Sequence, residues 1–222
     1  MTPAAEPRLG WDPSPERGWV APRIAAEFPG LGVSWVEVDT RPGRSPEPVR
    51  RRLRDLSDRF FGAHAIRLRE RPIPWAYRVF FRQIGLDPDR TRTPVEQLAL
   101  DRLHDGAFRT RGLPGDALTI ATVETGVALR AFDADRLFGR LCIRDSAPGE
   151  SLPGRPGELA HGTLTIADEA NPLALLFGET GEGYGVEQAS RRVAIVAVQV
   201  NGVPEIAVEE ALWMAAATVE SA

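Results

Sequence analysis

The chain contains no lysine: all 27 of its basic Lys/Arg residues are arginine. That absence excludes a P-loop, which needs a lysine on the phosphates, and Schiff-base or pyridoxal chemistry, which needs a lysine amine. A single cysteine, Cys142, leaves no partner for an internal disulfide and no multi-cysteine zinc site. The three histidines, His64, His104 and His161, stand in different segments without a second His or Cys at ligand spacing, so neither a metal nor a cofactor is expected. Cys142, flanked by Leu141 and Ile143, reads as a buried thiol and not a nucleophile. No Gly-x-Ser-x-Gly elbow is present to suggest a serine hydrolase. No stretch approaches the roughly 18 consecutive apolar residues of a membrane span, and the first twenty residues lack a basic and an apolar region of the secretory kind; a cytoplasmic address is expected.

What is present is an ordinary globular composition, with 43% hydrophobic and 26% charged residues in a chain of 222. Its charge is unevenly spread. Residues 41–111 hold 17 arginines against 9 acidic residues, whereas 112–222 hold 7 against 16. Such a division predicts a basic face on one half and a carboxylate-rich one on the other, with a coding preference for arginine as the competing explanation.

Residues 1–22, with Trp11, Trp19 and several prolines, read as an irregular arm docking by its indoles. Residues 23–222 read as one domain, with a helical lead-in over 45–111, a strand-rich pocket half over 112–205 and a C-terminal helix over 206–220. Val33–Val38 suits a strand. Val49, Leu53, Leu56 and Phe60 recur at helical spacing, and Arg50, Arg51, Arg52 and Arg54 rim that helix. Ala76, Val79, Phe80 and Ile84 mark a second helix, and Thr93-Pro94-Val95-Glu96 is a capping box opening a third that ends at Asp105-Gly106. Short strands are then expected at Leu118–Val123, Leu141–Ile143, Thr163–Ala167, Leu173–Phe177 and Arg192–Val200, and a last helix after Pro204. Helices first and strands second predict an α+β fold with a mostly antiparallel or mixed sheet.

Two segments stand out chemically. Gly178-Glu179-Thr180-Gly181-Glu182-Gly183-Tyr184-Gly185 is glycine-rich but carries glutamates that repel phosphate, so it suits a neutral or cationic group. Its alternative is a tight hairpin with solvated glutamates. Asp116 to Asp133 holds a turn and an extended segment ending in a carboxylate.

Together these segments resemble the B3/B4 domain of the phenylalanyl-tRNA synthetase beta subunit, in its free-standing form. The stretch GDALTIATVETGVALRAFD is similar to the family pattern at Asp116, Glu124, Gly126, Ala131, Phe132 and Asp133. Thr163 to Val193 is similar at Thr163, Leu164, Ile166, Ala167, Asp168, Glu182, Gly185 and Val186, with Ser190 for threonine. The resemblance implies binding of tRNA or aminoacyl-tRNA, and hydrolysis in trans of a mischarged aminoacyl ester. Glu182 would accept a phenolic hydroxyl, with Gly181, Gly183, Asp116, Thr119 and Arg130 around the substrate, while Arg50, Arg51, Arg52 and Arg54 would face the RNA backbone. Two departures bear on catalysis: Arg130 replaces the family's histidine and Thr119 its asparagine, and a guanidinium cannot accept a proton. Arg130 suits a carboxylate or a terminal phosphate instead. A non-catalytic module holding a free amino acid between Glu182 and Arg130 is the alternative, and a ligand-free structural domain the third.

Overall fold

In the structure, a computed structural model, residues 14–60, 62 and 67–221 are described. Trp11 and His64 lie outside them. Among the described residues, two four-stranded sheets and six α-helices form an α+β fold, as the order of sequence patterns predicts. The strands are β1 (Glu16–Arg17), β2 (Trp19–Val20), β3 (Gly32–Asp39), β4 (Ala128–Asp133), β5 (Cys142–Asp145), β6 (Leu164–Ala167), β7 (Pro172–Leu175) and β8 (Arg192–Gln199). The helices are α1 (Pro22–Glu27), α2 (Glu47–Arg59), α3 (Pro72–Gln83), α4 (Pro94–Asp105), α5 (Gly115–Thr125) and α6 (Glu205–Glu220).

The first sheet runs β1-β3-β8-β4 and is antiparallel throughout. Its inner strand β8 is buried from Val193 to Val198, which explains why it reads as a nearly continuous apolar run. The second sheet runs β2-β5-β6-β7 and is mixed, because β2 pairs in parallel with β5. The two sheets are joined at Gly18, which alone separates β1 from β2. A Cβ there would stand 2.3 Å from the Leu141 carbonyl oxygen and 2.5 Å from Val33 Cγ1, so only glycine passes.

α6 covers one face of the first sheet against β3 and β8, α5 lies on α6, and α2 lies on α5. Small residues permit this close stacking: Ala117 and Ala121 of α5 and Ala211, Ala215 and Ala216 of α6 have no exposed surface.

The segment Leu118–Val123 is helical, not the strand expected from its Thr, Ile and Val content. It lies inside α5, which is apolar on nearly every side and therefore shows no amphipathic period. Gly126, in the left-handed region at φ 83°, closes the helix by donating to Thr122 O. α2, α3, α4 and α6 follow the sequence reading. The Thr93–Glu96 box forms with both reciprocal contacts, and Glu96 also accepts from buried Arg78 at 2.7 Å, which ties α3 to α4. β1, β2 and α1 were not anticipated; they occupy the chain before β3.

Tyr77 couples α3 to the first sheet. Its hydroxyl donates to Val198 O at 2.5 Å and accepts from Ala128 N at 3.0 Å, at a fully buried position where desolvation pushes the phenol well above its ordinary range. Tyr77→Phe should strand both backbone groups and lower the unfolding free energy by about 1–3 kcal/mol in urea titration, with an unchanged denaturant slope.

Candidate functional site

α5 begins after the cis Leu113–Pro114 peptide bond, and its first turn carries Asp116, a carboxylate at the positive end of the helix. Asp116 is completely buried. One oxygen accepts from Ser45 Oγ at 2.7 Å and Thr110 Oγ1 at 2.5 Å, the other from Arg111 N at 2.6 Å. Ser45 and the Thr110–Arg111 stretch are thereby held to the start of α5. Beside them, Leu113 N donates to Gly43 O at 2.8 Å, and Gly112, at φ 74°, sits so close that a Cβ would be 2.2 Å from the same oxygen.

This crossing of chains forms the floor of an open cleft of about 610 Å³ at the N-terminus of α5. Leu118 from α5, Ala131 from β4 and Val186 from the loop before β8 supply its apolar wall, while Arg44, Arg111 and Glu187 supply its charge. β4 is fastened to that loop by Asp133, whose backbone N donates to Tyr184 O at 3.0 Å and whose carboxylate accepts from Ser190 Oγ at 2.7 Å. A hydroxyl is what Asp133 requires at position 190, which explains why serine suffices where the related pattern has threonine.

The sequence-derived site residues take several positions. Asp116 lies beneath the cleft as part of its framework. Thr119 donates to Gly115 O one turn back at 3.0 Å and borders a smaller cavity of about 280 Å³ beside Phe108 and Arg109. Arg130 turns away from Ala131, as alternation along β4 requires, and donates to Leu175 O at 3.2 Å and Gly178 O at 2.8 Å. Its guanidinium lies 5.8 Å from the Phe132 ring centroid, and burial pulls its pKa down to about 10, so it remains charged near neutrality. Gly181 is packed against Leu152 and Leu173, and its N–H donates to Leu173 O at 2.8 Å. Gly183 is exposed at φ 85°. Glu182 is exposed and leans over Gly154, where a Cβ would come within 2.7 Å of its own Cβ. Among the described residues no hydrogen bond or ion pair joins Glu182 to Arg130.

The α2 arginines are partly neutralised. Arg50 and Arg54 pair with Glu47 at 2.6 and 2.5 Å, holding its carboxyl below the ordinary range chiefly through the Arg54 hydrogen bond, and Arg52 reaches Thr218 Oγ1 at 3.4 Å. Arg51 is exposed and has no ion pair among the described residues. Arg44 is likewise exposed and has no ion pair among the described residues. Sequence reasoning missed Arg44, Arg111, Leu118 and Glu187 as cleft residues; the Gly112-Leu113-Pro114-Gly115 turn was the available signal.

No protein-family profile matches the chain. It is 35% identical over 112 residues to a phenylalanine–tRNA ligase beta subunit of Xanthomonas oryzae, covering 49% of this chain and 14% of that protein. A Yersinia pestis protein of the same name is 36% identical over 85 residues, covering 36% and 10%. The similarity thus spans a small fraction of these relatives. Among solved structures, an N-terminal fragment of the phenylalanyl-tRNA synthetase beta-subunit from Pyrococcus horikoshii aligns with 92% of this chain and 52% of that one, at 14% identity and a TM-score of 0.44. A likeness of that degree carries no inference about the site.

Asp116→Ala should leave two hydroxyls and an N–H without an acceptor. The expected loss is roughly 3 kcal/mol of stability in denaturant unfolding, and Asp116→Asn should recover only part of it because the neutral amide accepts more weakly.

Proposed function

We propose that the chain is a B3/B4-type module that binds tRNA or aminoacyl-tRNA in the cytoplasm, with the acceptor end seated in the cleft at the N-terminus of α5 and residues 23–222 acting as one domain. The observation that supports this most directly is spatial. The two sequence stretches that resemble the family, 115–133 and 163–193, contribute Leu118, Ala131 and Val186 to one cavity wall and are tied together by Asp133 and Ser190. Similarity to proteins named phenylalanine–tRNA ligase beta subunit agrees with a tRNA-associated role.

The cleft chemistry suits the end of an RNA. Arg44 and Arg111 stand at its rim, where guanidinium donors match phosphate oxygens, and the wall between them is apolar enough to take a base or an aminoacyl side chain. Arg111 lies 3.4 Å from Asp101, a long contact that a phosphate would outcompete. Hydrolysis of a mischarged ester requires a group that can accept a proton from water. Arg130 cannot serve, so Glu187 on the cleft is the carboxylate proposed to position that water, with Glu182 on the glycine-rich loop the alternative that the sequence pattern offers.

Filter binding of unfractionated tRNA at several salt concentrations tests the binding reading. Affinity should fall steeply with salt, and a double Arg44→Gln, Arg111→Gln variant should bind at least tenfold more weakly, with a slope of log K against log salt shallower by roughly 0.7 per lost phosphate contact. Substituting Arg50 and Arg54, already engaged by Glu47, should matter less. No detectable binding at low salt would remove the proposal. Incubation with a panel of mischarged tRNAs tests hydrolysis separately: equal ester lifetimes with wild type, Glu187→Ala and Glu182→Ala would leave binding alone.

A further inference from the structure

A second cleft, of about 680 Å³, opens between α1, the C-terminal end of α3 and the β6–β7 hairpin. Its volume is in the range of small-molecule sites. The interior is apolar. Ile24, Phe28, Ile84, Leu86, Leu164 and Phe177 line it, and most of these side chains rest on the core while keeping one side uncovered. The floor is fixed by ring contacts: Phe28 lies 5.4 Å from Phe80 edge-on, and Phe177 lies 5.9 Å from Phe80 and 4.9 Å from Phe81, centroid to centroid.

The rim carries charges of both signs. Arg23 and Glu27 stand one turn apart on α1 and both border the cleft, with Gln83 and His161 beside them. One guanidinium nitrogen of Arg23 is committed to Asp145 at 2.5 Å, which fixes the group's orientation and draws the Asp145 carboxyl down. The other nitrogen is 3.6 Å from Glu27, farther than a hydrogen bond, so its donors and the Glu27 oxygens are not consumed by each other. An anchored cation and an anion side by side above an aromatic chamber are complementary to a zwitterion with an apolar side chain. A fatty acid would satisfy Arg23 but meet repulsion from Glu27, and a simple amine would do the reverse.

We propose that this cleft binds a free large apolar or aromatic α-amino acid, its carboxylate on Arg23, its ammonium on Glu27 and its side chain among Phe28, Ile84 and Phe177. The site is separate from the α5 cleft and does not depend on the tRNA reading. It also differs from it chemically, because an aminoacyl ester has no free carboxylate for Arg23.

Isothermal titration of the whole protein with L-phenylalanine, L-leucine, glycine, phenethylamine and L-phenylalanine methyl ester tests the assignment. L-Phenylalanine or L-leucine should bind. Glycine should not, and the amine and the ester should bind roughly 10-fold or more weakly because each lacks a charge-assisted contact. Arg23→Gln and Glu27→Gln should each weaken binding by a similar factor. The two side chains are 62% and 54% exposed, so these variants should melt as wild type does. The Arg44→Gln, Arg111→Gln variant should retain full affinity. Absence of heat with either amino acid at millimolar concentration, or equal affinity for acid and ester, would overturn the proposal, and the ligand series does so without any variant.

Discussion

Asp116 is a carboxylate with no exposed surface, and it accepts hydrogen bonds from two segments far apart in sequence: Ser45 on one side and, on the other, the adjacent Thr110 hydroxyl and Arg111 N–H. Burying an ionised carboxylate is unfavourable unless donors replace its water, so these segments can converge only as a set. Their convergence fixes where α5 starts. It also presses Gly112 onto Gly43 and directs Leu113 and Pro114 along the cleft floor. From α5 the constraint passes to α6 and α2, which stack on it through small side chains, and through Gly126 to β4. The cleft wall is therefore a consequence of one satisfied buried charge, and a carboxylate the sequence suggested for ligand contact instead holds the surface that would make that contact.

Much of the charge in both halves of the sequence is taken up by ion pairs. Arg59 of α2 pairs with Glu124 of α5 at 2.9 Å, Arg155 with Glu179 at 2.5 Å, and Arg192 with both Glu37 and Asp135, while Arg17 reaches Glu205. Within the lead-in, Arg78 is buried between Asp89 and Glu96. So much pairing favours a coding preference as the reason for the missing lysines. Exposed arginines without an ion pair among the described residues are spread over several elements, Arg41, Arg51 and Arg82 among them, and the α5 cleft is flanked by Arg44 and Arg111. An exposed pair adds little stability in any case, so its loss to a ligand would be inexpensive.

The legible parts of the fold are those whose patterns have a local cause. The capping box at Thr93 encodes its own two hydrogen bonds, and β8 declares itself by continuous burial between two neighbours. α5 was misread because the signals for a strand and for a helix buried on all sides coincide: both are apolar without a 3.6-residue period, and its Thr, Ile and Val content tipped the choice. Only the packing of Ala117 and Ala121 on α6 decides it. β1 and β2 are too short to show a period and exist because Gly18 lets the chain pass from one sheet to the other. The cleft was illegible for the same kind of reason. Arg44, Arg111 and Glu187 have no sequence relation, and their proximity depends on the Asp116 contacts and the Gly43–Gly112 approach.

Arg130, where the resembling sequence pattern has histidine, is held by architectural contacts. Its guanidinium spans the Leu175 and Gly178 carbonyls, and so fastens β4 of the first sheet to the end of β7 in the second. An imidazole is shorter and offers fewer donors, so it could not make both contacts from the same backbone without bringing the sheets closer. The arginine is thus committed to architecture, on the face of β4 opposite Ala131 and the α5 cleft. With arginine there, the space between β4 and the end of β7 is held by a desolvated cation whose donors are spent on two backbone carbonyls.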